Sequence, residues 1–298
     1  MKPTPTRATL VAAALFASAT PALAQRDFAW NGQIPAGATL RVYTQNGTVT
    51  VRQAGGGEAR IRGDVQNADN GEIRFVTAGG RGTDFRVCAV RDGATCTDQG
   101  IESRRSGDGW GRNRRGRANF TVEVPRGVLV RVSSGNGDVA VDGATADVHA
   151  GSGNGAVRVG SGAARVRASS GNGAVLVDGA RGPVNASSGN GRVVVTTANG
   201  PVSASTGNGR IEVSMASVRA GDDMAFSSGN GNVTLTLPAN FGAELEASTG
   251  HGGIESDFPM RVQGRMSARR MAGTIGSGGR RLRISTGNGS IYLRRAGS

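Results

Sequence analysis

Val130-Arg-Val-Ser-Ser-Gly-Asn-Gly-Asp-Val-Ala-Val141 returns eighteen residues later as Val148-His-Ala-Gly-Ser-Gly-Asn-Gly-Ala-Val-Arg-Val159. It returns three more times, ending at Val177, Val195 and Val213. The Gly-Asn-Gly triplet centres on Asn136, Asn154, Asn172, Asn190 and Asn208, with looser copies at Asn230 and Asn288 and His251 standing in once. A short fixed period is the signature of a repeat architecture. Within each copy apolar residues alternate with polar or small ones, the period of a strand with one buried face. Val130, Val132, Val139 and Val141 therefore share one side, and Arg131, Ser133, Asp138 and Ala140 the other. The triplet supplies residues that tolerate positive φ, so it reads as a tight turn. Asp142-Gly-Ala, Gly160-Ser-Gly and Asp178-Gly-Ala close the other end of the unit.

Two short strands and two corners cannot bury their valine side alone, so units must stack and share a core. The expectation is an all-β fold: a single-stranded β-helix, or β-solenoid, of about eight coils built from 18-residue repeats. At about 4.8 Å per coil it would be roughly 40 Å long. Strand–crossover–strand connections favour a right-handed path. The Ser or Thr before each triplet is expected to stack with its copies as a hydroxyl ladder. Tandem antiparallel hairpins compete with this reading, because Gly-Asn-Gly also suits a hairpin turn.

Residues 1–24 read as a signal peptide: Lys2 and Arg7, an apolar run from Leu10 to Ala19, and Ala22-Leu-Ala24 as the cleavage site. The chain is expected to be exported, to the periplasm or beyond, and cleaved after Ala24. No later segment is apolar enough to cross a membrane. In an oxidising compartment Cys88 and Cys96 read as a disulfide. The formal charge is +13, and removing Lys2 and Arg7 leaves +11 (13 − 2), since residues 1–24 hold no acid. Every remaining cationic side chain of fixed charge is arginine, which grips phosphate and carboxylate bidentately. Such an excess attracts anionic polymers.

Residues 25–125 read as a β-rich N-terminal cap, and 126–298 as the solenoid repeat region. Leu40-Arg-Val-Tyr43 and Val49-Thr-Val51, around Asn46-Gly47, look like a degenerate first copy of the unit. Residues 103–117 break the pattern with a polar, Gly-rich stretch holding Arg104, Arg105, Trp110, Arg112, Arg114, Arg115 and Arg117. These cations with an aromatic for stacking form the candidate site for an anionic polymer. After Val213, Met215 to Asp223 reads as a short helical or irregular bulge, and Pro259 to Gly279 as a longer excursion.

The opening Trp30-x-Gly-x-Ile-Pro-x-Gly37, the recurring Ser-Ser/Thr-Gly-Asn-Gly-x-Val-x-Val, and the closing Gly273-x-Ile-Gly-x-Gly278 with Ser285-Thr-Gly-Asn-Gly-x-Ile-x-Leu293 resemble the bacterial DUF4097 family. That family is proposed to act in adhesion and is similar to head domains with a Gly-Ile-Asn motif. The resemblance spans about Phe28 to Leu293. It implies a β-helix-like fold and no established activity, so no catalytic residues carry over. The arginine-rich stretch and the cysteine pair lie outside the shared pattern.

Several chemistries lack their residues. A calcium roll needs carboxylates at each turn, but the position after the triplet reads Asp138, Ala156, Ala174, Arg192, Arg210, Asn232, Gly253 and Ser290. A glycan hydrolase or lyase needs clustered acids, and Glu244, Glu246, Glu255 and Asp257 are the nearest approach. His149 and His251 sit in different coils, too far apart for a two-histidine metal site. Serines lack a partnered base, and no lysine follows the glycine triplets to make a phosphate loop. No catalytic residue, metal or other cofactor is expected.

The reading is a non-enzymatic, adhesin-like or scaffolding envelope protein. Its expected partners are anionic glycans, lipopolysaccharide or an envelope protein. Export argues against nucleic acid, and oligomeric state is left open. A β-helix carbohydrate-active enzyme and a periplasmic signalling or stress-response partner are the alternatives.

Overall fold

The computed structural model describes residues 27–68, 72–80, 82–103, 116–218, 222–262 and 267–297. The expected signal peptide lies outside the described residues. Near the N-terminus come β1 (Asp27–Gln33), β2 (Thr39–Asn46), β3 (Val49–Gln53), β4 (Glu58–Gln66), β5 (Ile73–Gly79), β6 (Phe85–Arg91), β7 (Ala94–Thr97), β8 (Gly100–Ser103) and β9 (Arg117–Val124). The regular middle contributes β10 (Leu129–Asn136), β11 (Val139–Val141), β12 (Val148–Ser152), β13 (Val157–Val159), β14 (Val166–Ser170), β15 (Val175–Ala180) and β16 (Val184–Ser188). It continues as β17 (Val193–Asn199), β18 (Val202–Asn208), β19 (Ile211–Ser217), β20 (Met224–Asn230) and β21 (Val233–Leu237). Then follow β22 (Ala243–His251), β23 (Ile254–Ser256), β24 (Met260–Val262), β25 (Arg270–Ile275), β26 (Arg281–Asn288) and β27 (Ile291–Arg295). The fold is an all-β solenoid.

From β9 to β23 successive strands alternate between a twelve-stranded and a thirteen-stranded sheet that face each other, and β7 and β8 form a separate hairpin. Within each sheet, equivalent strands pair in parallel at the repeat period: Val130 on Val148, Val148 on Val166, Val166 on Val184, Val184 on Val202. Parallel pairing excludes tandem hairpins, whose neighbours would run antiparallel. The alternation works as read: Val139, Val157, Val175 and Val193 are fully buried between the sheets, while Arg131, His149 and Arg167 share a row on the outer side. Small Val and Ala side chains keep the middle thin. Aromatic residues plug the ends, Trp30 stacking on Phe85 at 3.9 Å at one and Phe241 meeting Phe258 edge-on at 6.2 Å at the other.

Ten coils stack among the described residues, and their order is not their order in the chain. At the N-terminal end the outermost coil is β6 with β9, and the first coil of the chain, β2 with β3, lies beneath it on β10 and β11. At the C-terminal end β26 and β27 slot between β20–β21 and the outermost coil, β22–β23. Eight coils carry the triplet or its His251 variant. The degenerate copy at β2–β3 pairs with β10 residue for residue, so the parallel stack runs across residue 125 without a break. Antiparallel strands close both ends, β4 and β1 on β9, β5 on β6, and β25 and β24 beyond β22.

The segment from Met215 to Asp223, expected as a short helical or irregular bulge, is strand as far as Ser217, pairing with β17, and irregular at 218 and 222–223, while 219–221 lie outside the described residues. The longer excursion from Pro259 supplies β24 and β25.

The triplets sit at the corner between the sheets for two reasons, the first being the one read from sequence. The asparagines of the triplets are not left-handed, but the closing glycine has positive φ at several corners: +135° at Gly47, +155° at Gly137, +149° at Gly231, +140° at Gly252 and +157° at Gly289. Close approach is the second reason. A Cβ on Gly173 would lie 2.0 Å from the carbonyl oxygen of Gly155 in the next coil, and one on Gly171 2.4 Å from that of Gly153.

The buried hydroxyl residues stack in register with their copies, as expected, and the hydrogen bonds they donate go to backbone carbonyls. Ser152 donates to the carbonyl of Gly137 at 2.8 Å, Ser170 to Gly155 and Ser188 to Gly173 at 2.8 Å, and Thr286 to Gly231 at 2.8 Å. Each hydroxyl thus satisfies a corner carbonyl that the parallel ladder leaves over. The exposed asparagines form a hydrogen-bonded ladder. Asn288 donates to Asn230 at 2.6 Å, and the chain continues through Asn208, Asn190, Asn172 and Asn154 to Asn136. Asn136 donates to Asn46 at 2.7 Å. Turning the Asn46 amide would offer its oxygen to Arg91 but set two amino groups face to face, so continuity of the ladder fixes its orientation.

Candidate binding surface

The outer side of the thirteen-stranded sheet carries a long open concavity. Residues two apart along each strand form two rows. One runs Arg131, His149, Arg167, Asn185 and Ser203. The second runs Ser133, Gly151, Ser169, Ser187 and Ser205, and continues to Ser227 and Ser285. Because the second row has only hydroxyls or hydrogen, the middle of the sheet is low. A trough of about 730 Å³ follows it, from His149 and Arg167 to Arg283.

Both ends of the trough are raised. Towards the N-terminal end a hairpin, β7 and β8, stands over the sheet. The Cys88–Cys96 disulfide anchors it, with Cα atoms 5.9 Å apart. Under the hairpin Tyr43, Cys88 and Val90 make a small core of their own, and the Tyr43 hydroxyl donates to the carbonyl of Asp98 at 3.0 Å. Burial pushes the Tyr43 phenol above its ordinary range, with Arg131 and Arg41 opposing. Opening the bridge is expected to lower stability by about 2–3 kcal/mol through the short closed loop. Urea unfolding with and without reductant reads this, and an unmoved midpoint would make packing on Tyr43 the sole anchor. At the other end Arg283 pairs with Glu246 at 3.3 Å.

The electrostatics of the first row are uneven. Arg165 is held by Asp147 at 3.2 Å and Arg41 by Asp84 at 2.8 Å. Arg131 and Arg167 have no acidic partner among the described residues. Between them His149 is exposed on the outer face; partial desolvation of its ring, then Arg131 and Arg167, push its pKa below the usual 6.5. The imidazole is therefore neutral at pH 7.

The acids nearest to a catalytic cluster are tied down. Glu255 and Asp257 both accept from Arg294, at 2.9 and 3.1 Å, and Glu244 accepts from Thr274 at 2.9 Å. Among the described residues no group of three or more His, Cys, Asp or Glu could hold a metal ion, and no helix is long and apolar enough to cross a membrane. Arg104, Arg105, Trp110, Arg112, Arg114 and Arg115 lie outside the described residues. Arg117 opens β9, exposed. The described residues on either side of the arginine-rich stretch are Ser103, at the end of β8, and Gly116, before β9.

The family model described as Toastrack DUF4097 matches residues 38–294. The chain belongs to this family. Its Toastrack region spans coils from β2 through to β27. No curated protein matches it. A crystal structure of a proposed cell-adhesion protein from Clostridium sporogenes aligns with 90% of this chain and 98% of its own, at 10% identity and a TM-score of 0.31. A likeness at that level carries no argument about fold or function. The trough in this Toastrack chain was not singled out from sequence. Its rows were legible as outward positions, but the residues lie eighteen apart and no local motif gathers them.

Proposed function

We propose that this is an exported, non-enzymatic protein of the cell envelope that holds an extended polar polymer, an anionic glycan or lipopolysaccharide, along the outer face of its thirteen-stranded sheet. The carrying observation is the trough itself: open, lined by hydroxyls and Asn185, with Arg167 at one end having no acidic partner among the described residues and Arg131 beyond it on the same row. Hydroxyl rows suit a hydrated chain of sugars, which presents a hydrogen-bonding group every few ångströms. The coulombic field of the arginine-rich surface sets the encounter rate, and the rows set selectivity. The binding role supports a scaffold more than a catalyst, since the acids in question are engaged by Arg294, Thr274 and Arg283. Membership of a family proposed to act in adhesion is consistent with this. Arg104, Arg105, Arg112, Arg114, Arg115 and Arg117, with Trp110, would add a second contact to the anionic polymer.

Filling the trough tests the reading. Ser187→Trp and Ser205→Trp face outward, so the stack should keep its thermal midpoint while affinity for lipopolysaccharide or peptidoglycan falls at least about tenfold, the loss of roughly 1.4 kcal/mol. Binding across a salt series, with a variant carrying serine at the six insertion arginines, separates the two contacts. Unaltered binding by the tryptophan variants would remove the trough from the function.

A further inference from the structure

The unbalanced row at the head of the trough points to a particular ligand group. Arg131, His149 and Arg167 stand at one register on three consecutive parallel strands, β10, β12 and β14, about 4.8 Å apart. Two long guanidinium side chains thus flank a shorter imidazole from either side. We propose that an oxyanion borne by the polymer, a uronate carboxylate or a phosphate, sits between Arg131 and Arg167 over His149, and that its binding places a proton on the imidazole. This rests on the reading of the sheet face as the binding surface.

The surroundings of His149 carry the case. On its own strand Gly151 adds no charge, and Asp147, just before the strand, is engaged by Arg165 at 3.2 Å. From β10 it faces Arg131 and Ser133, and from β14 Arg167 and Ser169. One strand further, Arg41 is engaged by Asp84 and the Tyr43 phenol is neutral below pH 10. What faces the imidazole is therefore two uncompensated cations and no anion. Partial desolvation of the imidazole, and then the like charges of Arg131 and Arg167, disfavour protonated His149 in the free protein. An oxyanion reverses that balance: it neutralises the arginines and offers the imidazolium an acceptor. The sign follows. The imidazole binds more protons in the complex than in the free protein, so affinity rises as pH falls through the range around and below 6.5. Two arginines and an imidazolium favour a carboxylate or phosphate group over a neutral sugar, so anionic chains would be selected at this end of the trough and the serine rows would accept the rest.

The chain has two histidines, so a His251→Gln variant leaves a single imidazole signal for NMR titration. The probes are polygalacturonate, a phosphorylated dextran and plain dextran. The expected result is an upward shift of the His149 midpoint with one or both anionic chains and none with plain dextran. Affinity should rise roughly tenfold between pH 7.5 and 5.5, and His149→Gln should flatten that profile. A shift with only one anionic chain identifies carboxylate or phosphate as the group. Anionic chains that bind without moving the midpoint, or with a flat pH profile, overturn the inference and leave the trough standing. If no chain binds, inorganic phosphate decides. A raised midpoint then keeps the anion site and removes the polymer, and an unmoved one removes both.

Discussion

Gly173→Ala is expected to break the stack near its centre. The added Cβ would sit 2.0 Å from the carbonyl oxygen and 2.4 Å from the carbonyl carbon of Gly155, with the amide nitrogen of Ala156 at 2.9 Å. All three are backbone, so no rotamer change relieves the contact, and the two coils must part. Overpacking that side chains can absorb costs about 1–3 kcal/mol; here the expected loss is about 3 kcal/mol or more, with several inter-coil hydrogen bonds going together. Gly151→Ala is the control. Its Cβ would point outward, 3.5 Å from the Ser169 hydroxyl, an ordinary contact. It should change stability by less than about 1 kcal/mol, and stiffening of the unfolded chain favours a small gain. Urea unfolding of both variants compares them, and equal midpoints would mean the corners tolerate a wider spacing than the geometry allows.

Val175→Asp has the other large effect. Val175 is fully buried and pairs with Val157 and Val193 above and below it. Among the described residues the buried polar side chains are serines and threonines, so no cation meets the carboxylate, and an uncompensated buried charge costs about 3–5 kcal/mol. A stack in which each coil touches only its neighbours has no other route for cooperativity. The variant should therefore melt in two steps, or be cut by protease near residue 175 while the flanking coils persist. Leu176→Asp, one residue along, faces outward between Arg158 and Val194 and should cost far less. A Val175→Asp protein melting in one step at the parental temperature would mean that the strand is turned over.

The period and the alternation made the coils legible because every coil repeats one register, so Val130 predicts the place of Val148 and Val166. The first copy at Leu40 to Val51 was readable for the same reason, though Gln45-Asn46-Gly47 has lost the first glycine. The corner was placed correctly and explained in part: positive φ at Gly137, Gly231 and Gly289 was readable, the close approach of coils was not. Glycine answers both to a left-handed turn and to a neighbour's carbonyl at 2.0 Å, and a single sequence does not distinguish them. Serine before the triplet was likewise read in part: it stacks on its copies as expected, but the bond from Ser152 to the carbonyl of Gly137 was not readable. The coil order at the ends left no trace in the sequence, because β20, β22 and β26 end in nearly the same phrase and any could lie on any other. Composition drew attention to the arginine-rich stretch, whereas the trough is assembled from single residues one period apart. Arg131, His149 and Arg167 become a group only once their strands lie side by side.

The displaced coils at the two ends dictate a timetable for assembly. In a plain stack each newly made coil settles on the one before it, like plates added to a pile. Here β22–β23 emerges before β26–β27 yet rests upon it, so the plate on top is made first and has to wait. Until β26–β27 slides into place, β21 has no partner on that side and β23 has none at all among the described residues. The end therefore shuts like a clasp, in one concerted event. The rod has a built-in length, because growth by simple addition stops at both clasps.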